Sequence, residues 1–135
     1  MVELMDRYPS VSDLEARAKR RIPYFAWEYL ASGTGSDSAV RRNIAALEDV
    51  QLRPQFLKGL LKPDMSTTLF GQRYEAPFGI APIGLTGLIW PGSDVALAEA
   101  ARSHGIPYVM STVSTGAMEE TGPAAGDMAL SLIHI

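Results

Sequence analysis

Two short segments rich in glycine and hydroxyl side chains stand directly after apolar runs. Residues 82–87 are PIGLTG and residues 111–115 are STVST. In parallel α/β folds, ligands bind in the loops that follow the strands, so both segments are candidate binding loops. Gly84 and Gly87 would let a flat ligand approach the backbone because they lack a Cβ, and Ser111 offers a hydroxyl. Alternatively, the glycines only form a turn and Ser111 caps one. The local pattern by itself favours this alternative, since G-x-x-G is a weak signal.

The two histidines lack the neighbours that a metal or catalytic centre needs. His104 precedes Gly105 at the predicted end of a helix, where an imidazole interacts favourably with the helix dipole, and His134 is the penultimate residue. Neither has a carboxylate or a second histidine at metal-ligand spacing. The sequence also lacks cysteine, a P-loop, a G-x-S-x-G elbow and a dinucleotide fingerprint. We therefore assign no catalytic residue and no metal ligand in this chain.

Three helices are predicted in the N-terminal part. Residues 12–15, Ser-Asp-Leu-Glu, have the form of a capping box and place the start of the first helix at Ser12. Pro23 suits the first turn of a second helix over residues 24–31, because its missing N–H needs no partner there. Asp37 opens a third helix through about Leu47. The apolar face of this third helix consists of Val40, Ile44 and Leu47.

The apolar pattern then changes from a helical period to a period of two. Val50 and Leu52, which precede Pro54, indicate a short extended edge. Residues 67–76 indicate a β-hairpin in which Gly71-Gln72 is the two-residue turn.

A strand, a helix and a second strand are predicted next. Residues 78–81 and 106–110 are short apolar runs typical of buried strands. Between them, Gly92 or Ser93 caps a helix that ends at Gly105. This order predicts a βαβ unit, and hence a parallel sheet. Two such strands cannot close a core, so we expect the chain to be part of a larger α/β protein.

Composition limits the class of protein. The 135 residues are 47% hydrophobic and 20% charged, which is globular composition, and the net charge of −3 does not indicate a nucleic-acid partner. The N-terminus lacks the pattern of a signal peptide, and the longest weakly charged run, residues 77–93, is too broken by proline and glycine to span a membrane. We expect a cytoplasmic protein; for the larger protein of which this chain is a part, peripheral attachment at the inner membrane is an alternative.

Four longer segments in this order resemble the N-terminal third of the FMN-dependent 2-hydroxy-acid oxidases and dehydrogenases, the family of glycolate oxidase, L-lactate dehydrogenase and S-mandelate dehydrogenase. They are AWEYLASGTGSD (26–37), RRNIAALEDVQLRPQFL (41–57), TTLFGQRYEAPFGIAPIGLTGLIWPGSD (67–94) and HGIPYVMSTVSTGAMEE (104–120). The resemblance implies the N-terminal part of a (β/α)8 TIM barrel, α/β in class. It divides the chain into three parts. Residues 1–76 form helices and a small β-hairpin, residues 77–129 form the first βαβ part of the FMN-binding barrel, and residues 130–135 are a non-native tail.

The resemblance also assigns roles to individual residues. The backbone at Pro82, Ile83 and Gly84 matches the tripeptide that contacts the flavin of FMN, and Ser111 matches a flavin-contacting serine. Tyr29 matches the tyrosine whose hydroxyl binds the substrate carboxylate; without the resemblance, a core-packing tyrosine would be the preferred interpretation. Two positions depart from the common pattern. Ile83 stands where many members have threonine, and Gly84 stands where members similar to glycolate oxidase have alanine, which resembles the lactate and mandelate dehydrogenase branch.

The family's reaction implies residues that this sequence does not contain. A histidine removes the hydroxyl proton of the 2-hydroxy acid, arginines hold its carboxylate and a lysine lies near the flavin, and all of these resemble later parts of the barrel. We therefore expect the parent to be an FMN oxidoreductase and a homo-oligomer, and the chain alone to be inert. Residues 121–135 do not convincingly continue the helix or enter a third strand, and LSLIHI (130–135) resembles translated sequencing-adapter read-through. A non-catalytic helical interaction module is the alternative function.

Overall fold

A boundary between residues 61 and 62 divides the chain into two units, 1–61 and 62–135. The structure is a computed structural model and describes residues 6–59 and 62–132. The boundary differs from the division at 76 and 77 that the resemblance implies, because the hairpin belongs to the second unit. The backbone N–H of Glu75 donates to the carbonyl of Gly105 at 2.8 Å, and this bond ties the end of the hairpin to the end of a later helix.

The first unit contains helices α1 (Val11–Lys19), α2 (Tyr24–Ala31) and α3 (Ser38–Glu48). The predicted capping box at residues 12–15 is wrong by two residues. Ser10 is the N-cap, its hydroxyl accepts the backbone N–H of Asp13, and the Asp13 carboxylate accepts the backbone N–H of Ser10. Both stretches have the serine-x-x-acid pattern, and α1 begins at the earlier one, two residues before the start that Ser12 would set.

Helices α2 and α3 have the limits that the sequence predicts to within a residue. The apolar face of α3 is largely uncovered within the first unit, since Ile44 is 54% and Leu47 75% exposed. The predicted extended edge at Val50 and Leu52 is not formed; these residues have no regular structure and are exposed. A strand needs a hydrogen-bonded neighbour, and the described residues of this unit contain none.

The second unit begins with an antiparallel hairpin of β1 (Thr67–Leu69) and β2 (Gln72–Tyr74). The turn is Phe70-Gly71, one residue earlier than the predicted Gly71-Gln72. Both turn residues have positive φ, +53° and +81°, as a type I′ turn requires. The turn therefore places Gly71 second and leaves Phe70, whose side chain is 85% exposed, in the left-handed region that is unusual for a bulky residue.

A parallel βαβ unit follows the hairpin. It contains a short helix α4 (Thr86–Ile89), helix α5 (Ser93–His104) and strand β3 (Tyr108–Met110). The predicted strand at 78–81 is reduced to a single parallel bridge between Ile80 and Tyr108. Gly105 caps the C-terminal end of α5 as predicted, and of the two predicted N-cap candidates it is Gly92 that caps the start; both glycines are left-handed.

The chain continues through helix α6 (Met118–Ala125), a 3-10 turn (Gly126–Met128) and strand β4 (Ala129–Ser131). The expectation that residues 121–135 neither continue the helix nor enter a strand is therefore wrong. Strand β4 pairs in parallel with β3 and includes the first residues of the segment set apart as a non-native tail. The last three residues, His134 among them, lie outside the described residues.

The buried residues of the second unit lie where α5 packs on α6 and β3. Ala98 and Ala101 of α5 are completely buried against Tyr108 of β3 and Ala125 of α6. Small side chains on α5 let these elements approach closely, and the sheet order is Ile80, β3, β4. No helix among the described residues has the length and apolar character needed to cross a membrane.

Candidate functional site

The two candidate loops lie side by side at the carboxyl ends of neighbouring parallel strands. The first follows Ile80 and the second follows β3. The backbone N–H of Leu85 in the first loop donates to the carbonyl of Val113 in the second at 3.0 Å. Pairing of Ile80 with Tyr108 sets both strand ends at one edge of the sheet, so the loops that sequence reasoning selected are brought together.

In the first loop, Pro82 is exposed while Ile83 and Gly84 are half-buried. Leu85 follows with φ +52°, a left-handed conformation that costs a non-glycine residue conformational energy. Its hydrogen bond to the second loop holds it there. Among residues 6–59 and 62–132, the amides of Ile83 and Gly84 have no hydrogen-bond acceptor. They are therefore available to donate hydrogen bonds to acceptor atoms of a ligand.

In the second loop, Ser111 is half-buried and begins a tight turn. Its carbonyl accepts the N–H of Ser114 at 3.1 Å, and its hydroxyl accepts the N–H of Val113 at 3.3 Å. Within the described part of the chain, the Ser111 hydroxyl has no acceptor for its own proton. The structure therefore shows the turn cap that the alternative interpretation proposes, and it leaves the hydroxyl proton available to a further partner.

Beside these loops lies a carboxylate that sequence reasoning did not select. Asp94, the second residue of α5, is only 4% exposed. Its Oδ1 accepts the hydroxyls of Thr86 and Ser114, the latter at 2.6 Å. Its Oδ2 accepts the Thr115 hydroxyl at 3.2 Å and the Gly116 N–H at 3.0 Å. A signal was present in the sequence, since Asp94 is the single charged residue of the segment 81–94.

The environment of Asp94 keeps its carboxylate ionised. Burial alone raises the pKa, but the hydrogen bonds from Ser114, Thr86, Thr115 and Gly116 outweigh burial, and the pKa lies below the ordinary 3.8. All four are neutral donors, and the N-terminus of α5 adds a favourable dipole. Burial raises the pKa of the Tyr108 hydroxyl above its ordinary value, and the negative charge of Asp94 adds to this rise.

Two glycines allow the loops to close around Asp94. A Cβ added at Gly116 would lie 2.8 Å from Asp94 Cβ and 3.0 Å from Asp94 Cγ, closer than such atoms can approach. A Cβ at Gly87 would meet the Thr115 hydroxyl, to which the Gly87 N–H donates at 2.7 Å. Gly87 therefore has a packing role here, whereas the sequence left both a ligand contact and a simple turn open for it.

Tyr29, the remaining candidate, lies on α2 in the first unit. Its side chain is 48% exposed, whereas Ala26 and Trp27 of the same helix are buried. The structure therefore does not show Tyr29 packed in the core of this unit. His104 is exposed at the last turn of α5, as predicted. No group of three potential metal ligands occurs among the described residues.

Comparison with known proteins places the chain among flavin enzymes. The family model described as FMN-dependent dehydrogenase matches residues 18–134. An L-lactate dehydrogenase of Ectopseudomonas mendocina (strain ymp) is 41% identical over 113 residues, 84% of this chain and 30% of that protein. An L-lactate dehydrogenase of Xanthobacter autotrophicus (strain ATCC BAA-1158 / Py2) is 40% identical over 117 residues, 87% of this chain and 30% of that protein.

Solved structures give the same placement. A mandelate oxidase crystallised with 3,3-difluoro-2-hydroxy-3-phenylpropionic acid superposes with a TM-score of 0.83 at 32% identity, covering 92% of this chain and 37% of that one. A lactate oxidase of Pediococcus acidilactici, described as putative, superposes with a TM-score of 0.80 at 28% identity, covering 89% and 34%. The chain thus spans about a third of the length of the relatives it matches.

Proposed function

The chain belongs to the family of FMN-dependent dehydrogenases, and on that basis we propose that it forms the first part of the barrel of an enzyme that oxidises a small L-2-hydroxy acid to the 2-oxo acid. FMN, when bound, supplies the acceptor for the two electrons that leave the substrate. The observation that carries the proposal is the meeting of the two loops, one with Pro82–Gly84 and one with Ser111, at the carboxyl edge of a parallel sheet.

The order of the strands supports a barrel. Ile80, β3 and β4 are neighbours in the same order as in the chain, and each connection contains a helix. Successive parallel strands joined by helices are the repeating unit of the (β/α)8 barrel, and its binding site lies at the carboxyl edge. We place Pro82–Gly84 after the first barrel strand and Ser111 after the second.

The residues present fit a flavin. The amides of Ile83 and Gly84 and the hydroxyl proton of Ser111 are donors without an acceptor in the described part of the chain, and a flavin ring has nitrogen and oxygen acceptors along its edge. Leu85, Leu88 and Trp90 leave apolar surface exposed on the same loop. An apolar loop with a few free donors suits one face and one edge of a planar heterocycle. Since Ile83 contributes through its backbone, the side chain there does not need to be threonine.

We assign Tyr29 to the substrate. Its ring is half-exposed on α2, so its hydroxyl is available to donate to a carboxylate. A hydrogen bond to a charged group orients the substrate as well as binding it. Gly84, together with the similarity to L-lactate dehydrogenases and mandelate oxidases, favours a 2-hydroxy acid of the lactate or mandelate type.

The rest of the chemistry falls to residues outside this chain. We assign no catalytic base here, because the described residues contain no histidine at the carboxyl edge of the sheet; His104 lies at the far end of α5. The chain alone is then inactive, and the active enzyme needs the part of the barrel that this chain does not contain. We further propose that the intact enzyme is a cytoplasmic or membrane-peripheral homo-oligomer.

A chimera tests the proposal. Residues 18–134 of this chain replace the matching segment of the Ectopseudomonas mendocina L-lactate dehydrogenase, which supplies the rest of the sequence. We expect the chimera to bind FMN, measured by quenching of flavin fluorescence, and to reduce it when L-lactate or S-mandelate is added. The full 135-residue chain, assayed in parallel, should do neither.

Four outcomes separate the alternatives. A folded chimera that binds no FMN refutes the proposal. Binding of FMN without reduction by any 2-hydroxy acid refutes the substrate class while leaving the flavin site. FMN retention by the 135-residue chain alone would refute its assignment as an incomplete part of the site. A chain that folds as a stable monomer without flavin would favour the helical interaction module.

A further inference from the structure

We propose that Asp94 is a positioning residue that locks together the two loops that carry the flavin contacts. This inference rests on the proposed function, because the loops are flavin loops only if that function is right. The residue itself is buried, with 4% of its surface exposed, and it is the second residue of α5. It acts through the groups that it holds.

The four donors to Asp94 come from both loops. Thr86 belongs to the first loop and lies two residues after Gly84, whereas Ser114, Thr115 and Gly116 belong to the second. Each carboxylate oxygen accepts two of these donors. One buried side chain therefore connects two segments that are also joined by the bond from Leu85 N–H to the Val113 carbonyl and by the bond from Gly87 N–H to the Thr115 hydroxyl.

A relay through Thr115 extends the connection. The Gly87 N–H donates to the Thr115 hydroxyl at 2.7 Å, and that hydroxyl donates in turn to Asp94 at 3.2 Å. Because the hydroxyl has one proton, acceptance from Gly87 and donation to the carboxylate define its orientation. Ionised Asp94 thus orients a first-loop amide through a second-loop side chain.

The path from Asp94 to the flavin contacts is short on both sides. Ser114, which donates to Asp94, also donates its N–H to the carbonyl of Ser111. Thr86 follows Leu85, whose left-handed backbone turns the chain directly after Gly84. Loss of the carboxylate would free the Ser111 turn and the Gly84 turn at the same time. The population of chains in which both loops have the arrangement that binds flavin would then fall.

Asp94→Asn tests this role with little change in shape. The amide nitrogen of asparagine cannot accept, so two of the four donors lose their partner. Asp127→Asn is the matched control, because Asp127 is an exposed carboxylate and the same charge is removed. A second pair separates the hydroxyl from the packing: Thr86→Val removes the donor at similar volume, and Thr86→Ser retains it.

The first measurement is hydrogen exchange of the full 135-residue chain, and it does not involve flavin. In Asp94→Asn we expect the Gly116 amide to exchange about tenfold faster or more, the factor that corresponds to loss of one hydrogen bond to a charged group. The Gly87 amide, which is connected to Asp94 through the Thr115 hydroxyl, should exchange faster as well. Asp127→Asn should exchange as the original chain does. Unchanged protection of both amides in Asp94→Asn would overturn the proposed connection.

The second measurement is the dissociation constant for FMN in the chimera described above. If the competent loop arrangement falls to about a tenth of the population, the constant rises about tenfold. Thr86→Val should raise it as well and Thr86→Ser should restore it, a rescue that general destabilisation of the fold would not produce. Faster exchange with an unchanged FMN constant overturns the positioning role. Absence of FMN binding by the unsubstituted chimera refutes the proposed function, and with it the flavin part of this inference.

Discussion

Replacement of Gly116 by alanine tests how closely the second loop packs on Asp94. Gly116 is not in the left-handed region, so the effect of a methyl group there depends on space. The added Cβ would lie 2.8 Å from Asp94 Cβ and 3.0 Å from Asp94 Oδ2, atoms of a short side chain that four hydrogen bonds hold in place. Neither partner can move without breaking part of the network.

The size of the effect follows from this geometry. Overpacking by one methyl group typically costs about 1–3 kcal/mol, and displacement of the Gly116 amide from its charged acceptor adds to that cost. We therefore expect the free energy of unfolding to fall by at least about 1–3 kcal/mol. Gly122→Ala is the matched control: Gly122 lies inside α6 with no atom within 4 Å of an added Cβ. It should raise stability by about 0.5–1 kcal/mol, the helix preference of alanine over glycine.

Urea unfolding measures both variants. Circular dichroism at 222 nm follows the helices of the full chain, and the chimera serves as a second host if the chain alone associates. The expected order of midpoints is Gly122→Ala, then the original chain, then Gly116→Ala. Equal or higher stability of Gly116→Ala would show that the loop yields easily, and would refute the description of Asp94 as the fixed centre of the network.

Three further outcomes are expected. In the chimera, Tyr29→Phe should lower kcat/KM for the 2-hydroxy acid by about 10- to 150-fold, because a hydrogen bond to a charged group contributes about 1.5–3 kcal/mol. The affinity for FMN should stay the same. Unaltered kinetics would make Tyr29 a packing residue. The pKa of Asp94 is lower in the folded state than its ordinary value of 3.8, so the ionised carboxylate stabilises the fold fully above pH 3.8, and this stabilisation is lost as the pH falls through the folded-state pKa. In urea unfolding at pH 2–5, Asp94→Asn should therefore show a smaller loss of stability toward low pH than the original chain does. The chain alone should form oligomers, because the edges of its parallel strands are uncovered, and elution as a stable monomer in size-exclusion chromatography would contradict this.

Local signals in the sequence determined most of the helix limits. Pro23 marks the start of α2 because proline needs no partner for an N–H at a helix start. Gly92 and Gly105 mark the two ends of α5 because each adopts a left-handed conformation that glycine tolerates. The order of apolar strand, helix and apolar strand likewise predicted the parallel pairing that Ile80 and Tyr108 show.

Where two local solutions compete, the sequence was insufficient. Ser10 and Ser12 each begin a serine-x-x-acid pattern, and only the folded chain shows which one caps α1. The hairpin could place Gly71 first or second in its turn. Pairing of Thr67 with Tyr74 puts it second and forces Phe70 into a left-handed conformation. Register is a property of both strands together, so no single residue in the turn decides it.

The centre of the candidate site was decided by tertiary structure alone. The loops with Gly84 and Ser111 could be selected because each follows an apolar strand, but their hydrogen-bonded contact depends on strand pairing. Asp94 accepts hydrogen bonds from donors that are 8, 20, 21 and 22 residues away from it in the sequence. Sequence periodicity reports neighbours three or four residues apart on a helix and two apart on a strand. A carboxylate whose partners are brought to it by the packing of a helix against two loops therefore has no periodic signature, and only the fold shows that it is buried, ionised and satisfied.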